Sequence, residues 1–585
     1  MTNTSAAGAI SAQQNARDGF THRQILTILS GLMLGMFLAA LDQTVVSTAM
    51  RTISDDLKGF DLQAWATTAF LITATISTPL YGKLSDLYGR RPFYLGAISI
   101  FVIGSMLCGM AQSMYELAAF RALQGIGAGG LMSLALAIIG DIVPPRERAR
   151  YQSMFLAVFG TSSVAGPLIG GFFAGADSIF GVAGWRWIFY INVPVGAAAL
   201  IVVSRVLHIP HTRREHRIDW PGALALVLCL VPLLIIAEQG RTWGWASGRA
   251  MVCYALGIVG LALFILAERW YRDDALLPLR LFRNRSFAIT SSSSFITGSG
   301  MFGSIVLLPL YLQVVKGSSP TVAGLQTLPL VLGILSGAMG SGVVISRTSR
   351  YKMFPVVGSA MMAAGLVLFS FVGADTPLWR TMIVMAFFGI GLGFNMQPII
   401  LAAQNAVDPS EMGVATSSVT FFRQMGGTAG AAAFLSILFS TAVANIGDAY
   451  RSAATGDPAF QQAAQVHPDQ IATLQSGSSG SLSDTSFLKG LDPALTHPFK
   501  VGFSNSIDLI FLFAAGIILI AVVVVSLLPE LPLRQMSGVQ ARQQQADDAA
   551  LALAAAGVEA EPEPVSDVAG SATQAGPPRD FRADP

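Results

Sequence analysis

Two ionisable residues of opposite charge interrupt apolar stretches early in the chain. Asp42 follows Leu41 in one stretch, and Arg121 follows Phe120 in another. A charge inside a membrane-spanning segment usually has a partner and a function. An arginine beside a carboxylate favours its ionised form, whereas separation of the pair in a closed apolar site favours proton uptake. We therefore favour a proton switch formed by Asp42 and Arg121, with a static ion pair between two helices as the alternative.

A short charged loop with two glycines lies between two long apolar stretches. It contains Gly82, Asp86, Gly89, Arg90 and Arg91. Glycines allow a tight turn and close approach of the flanking helices. The carboxylate of Asp86 can accept hydrogen bonds from a helix N-terminus or from either arginine. The pattern predicts a latch that holds one conformation and releases it in another. A generic basic loop is the alternative.

A glycine-rich stretch with a central proline lies in the fifth apolar run. Gly166 and Gly170 make a small-x-x-x-small face that favours close helix packing. Pro167 lacks a backbone donor and can kink the helix. Gly160 and Gly171 extend the same stretch. Ordinary helix packing is the alternative to a specialised transport element.

A further deep charge, Arg423, lies in the thirteenth apolar run. We expect it to face a central cavity or to pair with Asp508. Methionine and aromatic side chains suit adaptable binding of apolar ligands, although such residues at helical spacing also form ordinary helix contacts. The candidate cavity residues are Arg423, Asn395, Gln397, Phe394, Phe422 and Met425.

The composition is that of a membrane protein. Hydrophobic residues make up 53% of the 585 residues, charged residues only 12%, and the mean hydropathy is +0.58. A span needs about 20 mainly apolar residues, and we count about fourteen such runs. Basic residues concentrate in alternate loops, which places both termini in the cytoplasm. We expect a multi-pass protein of the cell membrane, embedded in its lipid bilayer.

Several function classes have no support in the sequence. The net charge is +2, and the basic residues are spread over loops, so we expect no nucleic-acid partner. There is no P-loop, which argues against ATP, and no H-E-x-x-H metal motif. The three cysteines fall in apolar runs and suggest neither disulfides nor a metal site. We expect no enzyme activity, no cofactor and no bound metal.

The order of apolar and polar segments suggests two related halves. Shifted by 260 positions (342 − 82), Gly342 aligns with Gly82 and Arg350 with Arg90. Weak internal repetition of this kind is expected in transporters built from two repeats. The expected segments are an N-terminal cytoplasmic tail (1–24), a first half (25–205), two inserted helices (206–285), a second half (286–528) with an external loop (446–500), and a disordered cytoplasmic tail (529–585).

These motifs together resemble the major facilitator superfamily, and within it the fourteen-helix drug:proton antiporters of the QacA type. The resemblance implies an all-α integral membrane fold with two pseudo-symmetric six-helix halves plus two extra helices. It implies that Asp42 couples protons and that Arg121 tunes it. It also implies that the loop of residues 82–91 gates one side, and that residues 160–171 are typical of exporters.

The resemblance also implies the cargo and the driving force. A small amphipathic compound would leave the cytoplasm by alternating access in exchange for protons. The tenth run, residues 325–344, has no carboxylate, so we expect no strong preference for divalent cations. The alternative is export of an endogenous lipid, siderophore or secondary metabolite by the same machinery.

Overall fold

The computed structural model describes residues 20–58, 63–208, 219–467, 470 and 491–555. The rest of the N-terminal tail, the Ser/Gly-rich part of the expected external loop and the end of the C-terminal tail lie outside the described residues. In the described part the chain is helical apart from connecting turns and one two-residue hairpin. That hairpin pairs Ser178–Ile179 (β1) with Val182–Ala183 (β2) in antiparallel register.

The helices form two groups with a pair between them. The first half contains α1 (His22–Asp56), α2 (Gln63–Tyr88), α3 (Arg90–Met110), α4 (Met114–Ile142), α5 (Pro145–Ala174), α6 (Trp187–Tyr190) and α7 (Asn192–Val206). The inserted pair is α8 (Trp220–Trp243) and α9 (Gly248–Tyr271). The second half contains α10 (Arg285–Val314), α11 (Pro320–Gln326), α12 (Leu328–Thr348), α13 (Met353–Phe369), α14 (Leu378–Ala406), α15 (Met412–Gly456), α16 (Pro458–Val466) and α17 (Pro493–Ser526), and α18 (Gly538–Ala555) follows.

The all-helical prediction is confirmed. Every apolar run predicted from the sequence falls on a helix. Within the described residues, ten helices are long and apolar enough to cross a membrane. A backbone that crosses a bilayer must satisfy its polar groups internally, which a helix does. The apolar runs therefore determine both the secondary structure and the environment.

The two halves repeat one packing pattern. In the first half α1 packs on α5, α2 on α4, and α3 on α4. In the second half α10 packs on α15, α12 on α14, and α13 on α14. Each half has its own cluster of buried apolar side chains. The halves meet where α2 contacts α15 and where α5 contacts α12.

Glycines set the close approach of equivalent helices in both halves. A Cβ on Gly125 or Gly129 of α4 would collide with backbone of α2, at Phe70 and Ala74 respectively. A Cβ on Gly333 of α12 would likewise collide with the backbone of α14 at Ala386. In a bilayer the hydrophobic effect does not drive helices together. Small residues instead let helix backbones approach closely and make van der Waals contacts. The G-x-G-x-x-G pattern of α4 is therefore a packing face.

The inserted pair lies beside the junction of the two halves. α8 packs against α9 and also contacts both α2 and α15. Asp219 caps α8 by accepting a hydrogen bond from the Gly222 amide at 2.6 Å, and burial raises the pKa of its carboxyl. Glu268, which lies at the same end of the pair near the end of α9, accepts hydrogen bonds from the Leu277 amide at 3.0 and 3.2 Å.

The structure differs from the sequence-based expectation in the described parts of the external loop and of the C-terminal tail. α15 continues to Gly456 and is followed by α16, so the described beginning of the expected external loop is helical. The tail expected to be disordered from residue 529 is ordered as far as residue 555. The first residues of the tail form hydrogen bonds with buried side chains of the second half. Main-chain hydrogen bonds of this kind need no periodic apolar residues, so the sequence does not indicate them.

A valine at Gly129 tests the packing of α2 on α4. Overpacking of a filled interface costs about 1–3 kcal/mol, so we expect Gly129→Val to lower the melting temperature of the purified protein in detergent. Gly96→Val is the matched control, because a Cβ at Gly96 meets no atom within 4 Å. Equal melting temperatures for the two variants would contradict the packing argument.

Candidate functional site

The structure places Asp42 and Arg121 in contact, as the sequence predicts. Arg121 Nη1 donates to Asp42 Oδ2 at 2.5 Å, which joins α4 to α1. Both residues are buried, with exposed fractions of 1% for Asp42 and 2% for Arg121. The Arg121 guanidinium also lies 4.0 Å from the centre of the Phe70 ring on α2. The pair therefore lies inside the first half, away from its surface.

Two amides complete the surroundings of the Asp42 carboxylate. Gln124 Nε2 and Asn192 Nδ2 both donate to Asp42 Oδ1, at 2.9 and 2.8 Å. Gln124 Oε1 accepts from Arg121 at 2.8 Å, and Asn192 also donates to Ser105 Oγ at 2.9 Å. Three helices, α1, α4 and α7, thus meet at one carboxyl group, and Ser105 of α3 supports Asn192. Asp42 is held by a cation and two neutral donors.

The sequence analysis missed both amides. Gln124 follows Arg121 by three positions, so the two side chains share one face of α4. That spacing is a signal that could have identified Gln124. Asn192 begins α7, far from Asp42 in the sequence, and only the packing of α7 on α1 and α3 brings it to the site.

The arrangement around Asp42 can bind a proton. Removal of one partner from a buried ion pair leaves an uncompensated charge and costs about 3–5 kcal/mol. A conformational change that moves Arg121 away would therefore have to neutralise Asp42. A proton is the smallest species that can do so. The position of Arg121 therefore affects the free energy of a charge on Asp42.

The second cluster lies at the end of the bundle that carries residues 82–92, called the loop end below. Arg90 Nη2 bonds to Asp86 Oδ1 at 2.5 Å, and Arg90 Nε donates to Asp141 Oδ2 at 2.8 Å. Arg90 Nη1 donates to Ser85 Oγ at 2.5 Å. All these residues belong to α2, α3 and α4. They form a buried ion network within the first half.

This network reaches across to the second half through Asp86. Its Oδ2 accepts from the backbone amide of Val414 at 2.9 Å, in the first turn of α15. Amides in that turn lack helical partners and carry the positive end of the helix dipole. A Cβ on Gly413 would collide with Arg90 and Asp86, and one on Gly82 would lie 2.6 Å from Ser417 Cβ. The glycines therefore permit the contact between the halves.

Arginines of α5 make a second set of contacts between the halves. Buried Arg148 donates to Gln404 Oε1 of α14 at 3.1 Å and to the Val143 carbonyl at 2.8 Å. Arg146 donates to the Ser346 carbonyl at 2.6 Å. Together with the Asp86 contact, these bonds close the loop end. Gln404 of α14 thus belongs to this closure.

Arg91, the second arginine of the loop, was considered as a partner of Asp86, but the structure gives it a different partner. Arg91 Nη2 donates to the Ser204 carbonyl of α7 at 2.7 Å. It thereby holds α3 to α7 inside the first half. Gly89, between the helices, has a φ of +95°, a conformation that favours glycine. Gly89 and Arg91 are therefore structural parts of the loop, whereas Asp86 and Arg90 make the closure.

The glycine stretch of α5 lies against α1 just beyond Asp42. A Cβ on Gly166 would collide with Thr44, and one on Gly170 would lie 2.9 Å from the Val45 carbonyl oxygen. Gly160 instead faces Val331 of α12, in the second half. Gly171 has no atom near its Cβ position, and the Pro167 side chain lies outside what the structure describes.

The candidate cavity residues lie at different helix interfaces. The Asn395 amide bonds to Ser359 Oγ at 3.0 Å and to the Gly391 carbonyl at 3.1 Å, which directs it towards α13. Phe394 packs on Phe354 with ring centres 5.3 Å apart. Both residues therefore take part in helix packing within the second half, and their assignment to a cavity stays a prediction.

The aromatic residues of α15 pack elsewhere. Phe422 lies 6.0 Å from the Phe282 ring centre and, with Met425, packs against the apolar cluster shared with α2 and α8. Gln397 is buried on α14. Arg423 is half-buried, and the ion pairs among the described residues do not join it to Asp508. The expected Arg423–Asp508 pair is therefore not formed, and the alternative, that Arg423 faces a central cavity, stays a prediction.

Comparison with known proteins identifies the architecture. The family model described as Major Facilitator Superfamily matches residues 32–431. The chain belongs to the Major Facilitator Superfamily. An uncharacterised MFS-type transporter of Mycobacterium tuberculosis is 36% identical over 509 residues, which cover 86% of this chain and 70% of that protein. Multidrug resistance protein 3 of Bacillus subtilis is 35% identical over 512 residues, or 87% of this chain and 96% of the relative.

A solved structure agrees with the family at the level of the fold. The proton:xylose symporter XylE superimposes with a TM-score of 0.56 at 14% identity and covers 89% of this chain and 100% of its own. Membership of this superfamily makes the chain a multi-pass membrane transporter. The prediction of a transporter in place of an enzyme agrees with this family.

A methionine at Arg90 tests the ion network at the loop end. Arg90→Met leaves two buried carboxylates without their cation, so we expect the free energy of unfolding in detergent to fall by about 3–5 kcal/mol. Arg451→Met is the control, because Arg451 pairs with Asp448 on the surface, where such a pair contributes about 0–1 kcal/mol. Similar losses in the two variants would contradict a buried network.

Proposed function

We propose that this transporter is a proton-coupled exporter of small amphipathic compounds, a multidrug efflux protein of the drug:proton antiporter kind. The observation that carries the proposal is the buried Asp42 carboxylate, held by Arg121, Gln124 and Asn192. A buried, fully coordinated carboxylate in a transporter marks an ion or proton pathway. The drug-resistance name of the Bacillus subtilis relative supports the cargo class.

The loop end would face the cytoplasm. Basic residues concentrate there, including Arg90, Arg146, Arg148 and Arg350, and cytoplasmic loops carry the excess of lysine and arginine. Both termini would then be cytoplasmic, with the two inserted helices keeping the number of crossings even. The closed loop end corresponds to the outward-facing half of the transport cycle.

The proton step would follow from the charge balance. In the closed state, Arg121 stabilises ionised Asp42. A proton arriving from the outside neutralises Asp42 and weakens its bond to Arg121. The cost of separating α1 from α4 then falls, and the first half can change its packing. Release of the proton to the cytoplasm restores the ion pair and returns the protein to the closed state.

Helix α4 would connect the proton site to the gate. It carries Arg121 near its start and Asp141 near its loop end, about 30 Å apart at 1.5 Å per residue. Asp141 binds Arg90, which in turn binds Asp86. A shift of α4 that accompanies loss of the Arg121–Asp42 bond would therefore disturb the contact of Asp86 with α15.

The glycine face of α5 would transmit the same motion to α1. Gly166 and Gly170 touch α1 at Thr44 and Val45, within one turn of Asp42. Thr44 Oγ1 also donates to the Ser162 carbonyl at 3.0 Å. α5 in turn contacts α12 of the second half. A rearrangement at Asp42 can thus alter the junction of the halves without direct contact between the proton and the cargo.

Proton-driven dye transport in proteoliposomes tests this function. We expect wild-type protein to accumulate ethidium against its gradient when a proton gradient is imposed. Asp42→Asn retains the size of the side chain, but it replaces one acceptor oxygen with an amide donor and cannot cycle its charge, so uphill transport should fall at least about a hundredfold, the lower end of the range for loss of one proton-transfer group. The exposed Asp448→Asn is the matched control and should transport like wild type.

The other outcomes are equally informative. Equal uphill transport by Asp42→Asn and wild type would contradict the role of Asp42 and leave the Asp42–Arg121 pair as a static contact. Absence of ethidium transport by wild type would contradict the cargo class. A lipid, siderophore or secondary metabolite would then be the cargo to test with the same machinery.

A further inference from the structure

The chain does not leave the bundle when α17 ends. Residues 529–541, called the strap below, return along the loop end. The Leu531 amide donates to Tyr351 Oη at 2.9 Å. Asn405 Nδ2 donates to the Pro532 carbonyl at 3.1 Å, and Asn405 Oδ1 accepts from the Arg534 amide at 3.3 Å. These bonds anchor the beginning of the strap to α14 and to the turn before α13, both in the second half.

The sequence of the strap suits a spacer of fixed length. Pro529 and Pro532 each fix φ and remove a backbone donor. A residue that precedes proline is also biased towards extended conformations. Among the other backbone groups of this segment, the Leu531 amide binds Tyr351 and the Pro532 carbonyl binds Asn405. The anchor therefore uses main-chain hydrogen bonds, which do not depend on an apolar periodicity.

The far end of the strap reaches the other half. Ser537 and Val539 are buried, with exposed fractions of 1% and 4%. A Cβ on Gly538 would lie 3.0 Å from Asp141 Oδ1 and 3.0 Å from Met412 Sδ. Asp141 belongs to α4 of the first half, and Met412 begins α15 of the second. The tip of the strap, residues 537–539, thus touches both halves where they meet.

The tip has a fixed backbone shape. The Ser537 amide donates to Gln540 Oε1 at 3.0 Å, and the Gln540 amide donates to Ser537 Oγ at 3.3 Å. This reciprocal pair is a capping box that starts a helix. It holds Gly538 and Val539 in place as the chain turns into α18. The tip is therefore a folded element with little backbone freedom.

We propose that the strap is a built-in clasp that stabilises the closed loop end from outside the ion network. It is fixed to the second half by Tyr351 and Asn405, and it holds the first half through Asp141. Asp141 is also the partner of Arg90. When the loop end opens, α4 moves relative to α14 and α15, so the tip must lose one of its two neighbours. The clasp then adds a free-energy cost to opening.

The clasp is independent of the proposed proton coupling and of the cargo. It requires only that the loop end opens and closes, which is common to transporters that alternate between two states. Its removal should shift the population towards the open loop end. Its effect on transport would be on the balance between the two states, without any change at Asp42.

Distance measurements between spin labels test the clasp. Labels on Glu147→Cys of α5 and Thr348→Cys of α12 report the separation of the halves at the loop end, where both side chains are exposed. Cys108, Cys229 and Cys253 are replaced by alanine in all samples. One variant ends after Met536 and lacks the tip. Its matched control ends after Ala541 and retains the tip with its capping box.

We expect the control to keep the distance distribution of the full chain. The variant that ends after Met536 should lose about tenfold in the ratio of closed to open populations, as expected when a well-packed apolar contact such as that of Val539 is lost. The same distribution in both truncated proteins would overturn the proposal. The measurement needs no substrate or proton gradient, so its failure is distinct from failure of the proposed function.

A point variant keeps the test decisive if the shorter chain does not fold. Val539→Glu places a carboxylate at a buried position of the tip, whereas Gln535→Glu adds the same charge at an exposed position of the strap. We expect only Val539→Glu to lengthen the distance between the labels. Equal distributions for the two full-length variants would overturn the proposal.

Discussion

The cost of burying charge governs this transporter. The Asp42 carboxyl group is buried, and Arg121, Gln124 and Asn192 surround it. Its hydrogen bonds depend on the packing of α1, α4 and α7. Any motion that separates these helices raises the free energy of the charge unless a proton removes it. In the proposed function, this electrostatic cost links helix packing to protonation.

The same constraint acts at the loop end, with a different outcome. Arg90 is shared by Asp86 and Asp141 within the first half, while Asp86 also binds the N-terminal amide of Val414 in the second half. The pairs of Arg90 with Asp86 and Asp141 lie within the first half, so they do not depend on the bond of Asp86 to α15. α4, which carries both Arg121 and Asp141, connects the two clusters.

Residue type and spacing predicted much of this arrangement. Charges in apolar runs identified Asp42 and Arg121, and the charged loop with glycines predicted the bond from Asp86 to a helix N-terminus. Other features depend on which face of a helix meets which neighbour, and the sequence does not specify that. Asn395 is polar and central in α14, yet it bonds to α13. The strap is ordered by main-chain hydrogen bonds, which have no side-chain signature.

The protonation state of Asp42 in the closed state is the most direct test of the account. Infrared difference spectra of wild type against Asp42→Asn would isolate its carboxyl band in protein held closed by a cross-link between cysteines at positions 147 and 348. We predict no protonated carboxyl band near neutral pH while the cross-link is intact, and its appearance once the cross-link is cleaved and the loop end opens. A protonated band in the cross-linked protein would contradict the account, because the ion pair with Arg121 would then not require an ionised Asp42.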